Sequence, residues 1–429
     1  MTGRKNRLLL FIIITVILSS CSVSRKITKS ARLLINDSSL INAHTGISIY
    51  DASSNKFLYN YQGDKYFVPA SNTKIPTCYG AMKYLGDSLV GLKYNVINST
   101  TVDIAGTGDP TFLHKSFKQQ PVFNFLKRFK TITYKGEIFT DFLGSGWAWS
   151  DYKDYYMAQR SDFPLYGNVA QFTWTKKNGL AVIPSYFSKD IEATGLDSGF
   201  FIDKPWDTNR FFISNGNQEK RDVPFNPTIG IILDLLTDTT KAATVIDFLG
   251  RFSNPSIIHS QPTDSLLKPM MHNSDNFFAE QTLLMVSNEM LGEMNDEKVI
   301  DSLSRTDFKD LPQPANWADG SGLSRYNLFS PQDFVFILRK MKDEFGMKRI
   351  QGIFPTGNAG TLEGRYKIDS NYIFAKTGTL SGVVALSGFL YTKKNKLLVF
   401  SVLVNNHNGS ATQARNAIEK FISGLRRKY

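Results

Sequence analysis

Three short segments of the 429-residue chain contain side chains that could together catalyse acyl transfer. In the first, Ser71-Asn72-Thr73-Lys74, a hydroxyl and an amine lie three residues apart. On a helix this spacing places the two β-carbons on one face, roughly 5 to 6 Å apart. Lysine can then act as the base for serine, provided that burial or a neighbouring cation lowers its pKa from about 10.4. Backbone N–H groups at the start of the helix would stabilise an oxyanion.

Two further segments add polar groups. Ser274-Asp275-Asn276 lies at the start of a predicted helix, and Lys376-Thr377-Gly378-Thr379 lies within a predicted strand. The former offers a hydroxyl and an amide, and the latter offers an amine and two hydroxyls. Because Gly378 has no side chain, we expect it to leave the strand edge clear for a substrate backbone. A Ser-x-x-Lys segment alone occurs by chance in most chains of this length, so the chemistry depends on all three segments meeting.

The hydrophobic and turn patterns around these segments predict an α+β fold. The β-prone runs within 46–61 predict a hairpin. A helix is expected from Asn72 to about Leu85, and Pro76 within it lacks an N–H group, so we expect a local distortion there.

Residues 94–253 have a different pattern, with short aromatic-rich runs, many turn residues and only a few helical stretches, such as 121–128 and 229–236. This pattern indicates a β-rich insertion. Beyond it we expect three helices and a β meander, at 275–290, 331–345 and 411–425 for the helices and at 372–377, 385–392 and 397–405 for the strands.

In this order the three segments resemble the signature of penicillin-recognising serine enzymes. Further segments resemble the D-alanyl-D-alanine carboxypeptidase/endopeptidase family of class C low-molecular-mass penicillin-binding proteins, peptidase family S13: Pro69-Ala-Ser-Asn-Thr-Lys74, Gly106-Thr-Gly-Asp-Pro110, Trp147-Ala-Trp-Ser-Asp151 and Asp319-Gly-Ser-Gly-Leu-Ser324. The resemblance covers about residues 42–424. It implies a serine β-lactamase/transpeptidase-like sheet sandwiched by helices, with an inserted β-rich accessory domain.

The same resemblance implies a serine DD-peptidase that hydrolyses D-Ala-D-Ala termini or D-Ala crosslinks of peptidoglycan. Ser71 would attack the penultimate D-Ala carbonyl, and Lys74 would accept its proton. Ser274 would relay a proton to the leaving amine with Lys376 tuning it, and Asn276 would orient Lys74 and the substrate amide. Stem peptides and β-lactam antibiotics are the ligands that this implies.

Other residues would bind substrate in an enzyme of this kind. The hydroxyls of Thr377 and Thr379 would help Lys376 to hold the substrate carboxylate. The backbone N–H groups of Ser71 and Thr379 would form the oxyanion hole.

The resemblance also places an acidic residue, Asp151, opposite the free amine of a diaminopimelate side chain, with Leu380 and Ser381 lining the same pocket. Asp151 reads equally well as a turn residue that caps its own backbone. A β-lactamase or esterase on the same scaffold, and a non-catalytic peptidoglycan-binding lipoprotein, are the alternative functions.

Composition excludes several other classes. The two cysteines, Cys21 and Cys78, and the five scattered histidines form no metal-binding motif, so we predict neither metal nor cofactor. The formal charge of +12 is spread along the chain without a nucleic-acid-binding motif, so we expect no nucleic acid partner. An anionic envelope polymer, a lipid surface or solvent alone would suit such a basic surface.

The N-terminus predicts export and lipidation. Basic residues precede an apolar stretch from Leu8 to Leu18, which is typical of a signal peptide and too short to span a bilayer. Leu18-Ser19-Ser20-Cys21 resembles a bacterial lipobox, so Cys21 would carry lipid on the periplasmic side of the cell envelope. An ordinary secretory signal cut after Ser20 is the alternative.

The resulting domain boundaries are a signal peptide at 1–20, a tether at 21–41, the transpeptidase-like domain at 42–95 and 256–429, and the accessory domain at 96–255.

We predict that Cys21→Ser releases the protein from membranes without loss of activity, because the thiol that would carry the lipid is gone. Metabolic labelling with an alkyne fatty acid and membrane fractionation measure this. Persistent membrane attachment of the variant would point to an uncleaved signal.

Overall fold

The computed structural model describes residues 25–135, 139–175, 177, 179–194, 200–214, 219–248, 252 and 254–429. The predicted signal peptide and Cys21 lie outside the described residues. None of the helices in this part of the chain is long and apolar enough to cross a membrane.

A five-stranded antiparallel sheet forms the centre of the structure, in the order β14-β15-β16-β1-β2. Its strands are β1 (His44–Asp51), β2 (Lys56–Tyr61), β14 (Ile373–Leu380), β15 (Val383–Tyr391) and β16 (Leu397–Asn405). β15 and β16 are apolar and buried almost throughout, on both faces of the sheet. Such strands need a covering layer on each face. The pairing of β1 with β2 confirms the predicted hairpin, and the pairing of β15 with β14 and β16 confirms the predicted meander.

Helices cover both faces, as the α+β prediction requires. One face packs on a core built largely from five helices, which are α2 (Lys74–Tyr84), α5 (Thr263–His272), α6 (Asn276–Leu291), α7 (Asp296–Arg305) and α8 (Pro331–Ile353). The other face packs on α1 (25–35) and α9 (Ala411–Lys428). α8 is longer than predicted and is kinked at Gly346, whose φ is +74°.

The predicted tether at 21–41 is wrong for its described part. Residues 25–35 form a helix whose Ile27, Ala31 and Leu34 are buried against the central sheet and α9. Their spacing of four and three residues gives the helix one apolar face. This segment is therefore part of the folded domain.

The region between the two halves of the central domain is rich in strands. It has sheets in the orders β12-β5-β4-β3-β13, β11-β6-β7 and β8-β10-β9. The strands are β3 (Ser88–Asn98), β4 (Thr101–Ala105), β5 (Thr131–Tyr134), β6 (Val169–Thr175), β7 (Gly179–Ile183), β8 (Ile191–Ala193), β9 (Phe201–Asp203), β10 (Phe211–Ser214), β11 (Glu219–Pro224), β12 (Ala243–Ile246) and β13 (Ser256–Pro262), with helices α3 (Pro121–Leu126) and α4 (Ile229–Thr240). β3 pairs with β13, so the chain enters and leaves this region side by side.

Candidate active site

Ser71 lies on a tight 3-10 turn, Ala70–Thr73, that precedes α2. A β-carbon on Gly322 would lie 1.9 Å from the Ala70 carbonyl oxygen, and one on Gly378 would lie 2.6 Å from the Pro69 carbonyl oxygen. Both glycines therefore let neighbouring backbone close onto the turn. Gly378 clears space for the serine turn itself, which corrects the expectation that it clears space for substrate.

Lys74 is the first residue of α2, which corrects the predicted start at Asn72. Pro76 then falls in the first turn of the α-helix, where a backbone N–H has no helical partner. The proline therefore costs α2 no helical hydrogen bond, and α2 runs on to Tyr84.

The Lys74 amine is fully buried between three oxygen atoms. Its Nζ lies 3.1 Å from Ser71 Oγ, 2.7 Å from Asn276 Oδ1 and 2.7 Å from the Ser321 carbonyl oxygen. The amide and carbonyl oxygens can only accept, so a neutral amine donates its two protons to them. Its lone pair then faces Ser71 Oγ, which is the arrangement a base requires.

Burial lowers the pKa of Lys74 to about 8, although Asp319, Glu280 and Asp275 oppose the shift. At pH 7 roughly one amine in ten is then neutral, against fewer than one in a thousand for an ordinary lysine. The side chain is therefore available as a base near neutral pH.

The Ser274-Asp275-Asn276 segment meets Lys74 at the start of α6. Asp275 is the N-cap, and its carboxylate accepts a hydrogen bond from Phe278 N at 2.9 Å. Asn276 is thereby directed inward, accepting from Lys74 and donating from Nδ2 to the Tyr156 carbonyl at 3.0 Å. Ser274 has a φ of +57°, an uncommon left-handed conformation for serine. The aspartate is thus a structural residue, and its neighbours carry the polar groups of the site.

Lys376 brings the third segment to the same place. Its Nζ donates to Ser274 Oγ at 2.9 Å and to the Thr377 carbonyl at 2.7 Å. The side chain is fully buried, and burial together with the charge of Lys74 holds the pKa of Lys376 well below its usual range. The structure therefore joins the five predicted catalytic side chains, namely Ser71, Lys74, Ser274, Asn276 and Lys376.

The loop at 319–324 positions the Ser321 carbonyl, which accepts a hydrogen bond from Lys74 Nζ. Asp319 is fully buried and accepts from Gly322 N and Ser324 N, each at 2.7 Å, and from Trp147 Nε1 at 3.0 Å. These bonds fix the loop that presents the Ser321 carbonyl. Trp147 belongs to the Trp147–Asp151 segment that resembles the family. One of the two tryptophans of that segment thus stabilises the site.

A second buried carboxylate acts on the same loop. Glu280 Oε1 accepts from Ser321 N at 2.8 Å, and burial raises the pKa of this side chain. Arg160, fully buried, lies 3.6 Å from Glu280 Oε2 and 2.5 Å from Asp296 Oδ2. Arg160 of the strand-rich region is therefore a counter-ion of Glu280, the carboxylate that holds the loop at 319–324.

A cavity of about 790 Å³ opens beside Ser71. Its walls include the residues that sequence analysis assigned to substrate, namely Asp151, Thr377, Thr379, Leu380 and Ser381. Asp151 N donates to the Ala148 carbonyl at 3.0 Å, and Asp151 Oδ1 accepts from Ser150 Oγ at 2.9 Å. Among the described residues no group of His, Cys, Asp and Glu could hold a metal ion.

The cavity wall also includes three arginines that were not predicted, namely Arg325, Arg365 and Arg415. They come from three separate elements, so no local pattern brings them together. The Ser321 carbonyl was also missed, although the glycines at 320 and 322 in its loop signal an unusual backbone.

Comparisons with known proteins bear on this site. The model of the D-Ala-D-Ala carboxypeptidase 3 (S13) family matches residues 28–197 and 256–426. The D-alanyl-D-alanine carboxypeptidase of Actinomadura sp. (strain R39) is 23% identical over 446 residues, covering 89% of this chain and 81% of that protein. Haemophilus influenzae DacB is 26% identical over 183 residues, covering 40% of this chain and only 37% of that protein.

A solved structure shares the fold. The crystal structure of penicillin binding protein 4 (dacB) from Haemophilus influenzae aligns with a TM-score of 0.73 at 19% identity. The alignment covers 93% of this chain and 98% of that one. The predicted fold class is thereby confirmed.

We predict that acylation of Ser71 by benzylpenicillin accelerates about tenfold per pH unit below pH 8 and levels off above it. The depressed pKa means that deprotonation, which creates the base, is completed as pH rises through about 8. Stopped-flow acylation rates measure this, with Lys74→Ala expected to be slower by more than about 10²-fold. A rate independent of pH between 6 and 8 would remove Lys74 as the base.

Proposed function

Because the chain belongs to the D-Ala-D-Ala carboxypeptidase 3 (S13) family, we propose that it is a serine DD-peptidase acting on peptidoglycan stem peptides. The substrates are D-Ala-D-Ala termini, D-Ala crosslinks or both. One observation carries the proposal: a fully buried Lys74 amine lies 3.1 Å from Ser71 Oγ, with its other two directions taken by acceptors. A surface lysine beside an N-cap serine would have neither burial nor these partners.

In the acylation step Ser71 Oγ attacks the carbonyl carbon of the penultimate D-Ala. Its proton passes to Lys74 Nζ along the hydrogen bond between them. The N–H groups of Ser71 and Thr379 stabilise the oxyanion. The peptide C–N bond then breaks, leaving an ester on Ser71 and releasing the amine of the next residue.

The leaving amine needs a proton, and Ser274 supplies the route. Its hydroxyl accepts a hydrogen bond from Lys376 Nζ at 2.9 Å, which leaves its own proton for the leaving amine, and the proton that Lys74 took from Ser71 replaces it. Asn276 holds Lys74 through Oδ1, and the second proton of its Nδ2, beyond the one given to the Tyr156 carbonyl, would orient the substrate amide. Water then hydrolyses the ester and restores Ser71. β-Lactams acylate the same serine, because their strained amide presents the same carbonyl.

Recognition of the stem peptide falls to the part of the cavity wall that includes Asp151. Asp151 lies there with Leu380 and Ser381, and within the described residues no ion pair involves Asp151. A carboxylate at this position suits the free amine of a diaminopimelate side chain. We assign residues 96–255 to an accessory domain that contributes Asp151 to this wall, whereas Leu380 ends β14 of the central sheet and Ser381 follows it.

The site of action follows from the substrate. Peptidoglycan lies in the bacterial envelope, and a lipid on Cys21 would hold the enzyme at its membrane. This anchor stays a proposal that depends on the Leu18-Ser19-Ser20-Cys21 sequence.

We predict that fluorescent penicillin labels the wild type covalently and leaves Ser71→Ala unlabelled, because the ester oxygen is removed. Ser53→Ala, a change of the same kind in an exposed turn, should label normally. Defined muropeptides analysed by mass spectrometry should lose D-Ala or a crosslink with the wild type alone. An unlabelled, inactive wild type would favour a binding protein, and rapid penicillin hydrolysis without peptide cleavage would favour a β-lactamase.

We predict that Asp151→Ala raises KM for diaminopimelate-containing peptides about tenfold, the cost of one charge-assisted contact. Penicillin acylation should barely change, because the antibiotic lacks this side chain. Asp207→Ala, which removes the same charge from an exposed residue of the strand-rich region outside the cavity wall, is the control. Equal losses on peptide and penicillin would mean that Asp151 supports the fold instead.

A further inference from the structure

Arg415 is the fifth residue of α9 and lines the cavity together with Ser71 and Thr379. Its Nη2 donates to Thr379 Oγ1 at 2.8 Å. A guanidinium has no acceptor, so the threonine hydroxyl must accept in this bond and its own proton points elsewhere. Arginine and hydroxyl thus present donors side by side on the cavity wall.

The charge of Arg415 is not neutralised by the protein. In the part of the chain that the structure describes, no carboxylate lies within 4.0 Å of its guanidinium, which is half-buried. Its neighbour Arg365 differs, because its Nη1 is 3.1 Å from Glu419 Oε2 and 2.8 Å from Asn416 Oδ1. A half-buried cation without a counter-ion, in the wall of an open cavity, suits an anionic ligand.

Lys376 does not meet this need. Its amine is buried and its hydrogen bonds go to Ser274 and the Thr377 carbonyl. Its pKa lies well below the usual range, so its charge is not permanent. Arginine remains protonated at all physiological pH values and matches a carboxylate with two parallel donors.

The position along β14 indicates which anion is bound. Gly378 packs against the Ser71 turn, and the next residue, Thr379, carries the hydroxyl that Arg415 contacts. In a D-Ala-D-Ala substrate the terminal carboxylate is a short covalent path beyond the carbonyl that Ser71 attacks. We propose that Arg415, with the Thr379 hydroxyl, binds the α-carboxylate of the residue that is released. This inference rests on the proposed function and adds a specificity-determining residue to it.

The test compares a tripeptide ending in D-Ala-D-Ala with the same peptide carrying a C-terminal carboxamide. Arg415→Gln should lower kcat/KM for the carboxylate peptide by roughly 10- to 100-fold, the value of a charge-assisted pair. It should change kcat/KM for the carboxamide by less than about threefold. Lys420→Gln removes the same charge from an exposed position of α9 and should change neither.

Acylation by benzylpenicillin and by its methyl ester gives a second, independent ratio, which should fall in the same way. Equal losses on charged and uncharged compounds, or no loss on either, would overturn the role of Arg415. Failure of the proposed function looks different: the wild type itself would neither cleave the peptides nor react with penicillin.

Discussion

Everything in the site depends on the burial of two lysine amines within one polar pocket. Lys74 and Lys376 are both fully buried, and the charge of Lys74 adds to burial in lowering the pKa of Lys376. A buried amine must have partners for its protons, or the desolvation cost is not offset. The acceptors therefore come from three places in the chain, namely the start of α6, the loop at 319–324 and β14 itself. The catalytic geometry is a consequence of satisfying these hydrogen bonds.

The strand-rich region is tied into this arrangement by buried polar contacts. Gln281 on α6 donates to the carbonyls of Gly108 and Ser161 at 2.8 Å, and Trp147 donates to Asp319. A β-carbon on Gly106 would lie 2.3 Å from the Asp162 carbonyl oxygen, so the Gly106–Pro110 segment is a tightly packed turn. Leaving any of these buried groups without its partner would cost about 1–3 kcal/mol. The region is thus continuous with the site, and its motifs are structural braces.

Local sequence predicted the strands of the meander, the starts of α3, α4, α8 and α9, and the three segments that meet, because each depends on neighbouring residues. Packing across the chain was not predictable in the same way. The partner of Gly378 is backbone some 300 residues earlier, and the cavity arginines sit on separate elements. α5 and α7 were missed because each is only ten residues long, so the helical spacing of its buried residues is too short to stand out. The 25–35 helix had a readable signal in Ile27, Ala31 and Leu34, which the surrounding basic residues obscured.

The position of that N-terminal helix also limits the distance between Cys21 and the folded domain. Four peptide units separate Cys21 from residue 25, where the packed helix is already present, and even fully extended they span at most about 14 Å. If Cys21 carries lipid, the face formed by α1 and α9 is held almost against the bilayer, and the enzyme has little freedom to swing away from it. Its reach would then be limited to the part of the wall nearest the membrane that carries the anchor. The shortness of this connection would select which strands of the polymer are trimmed.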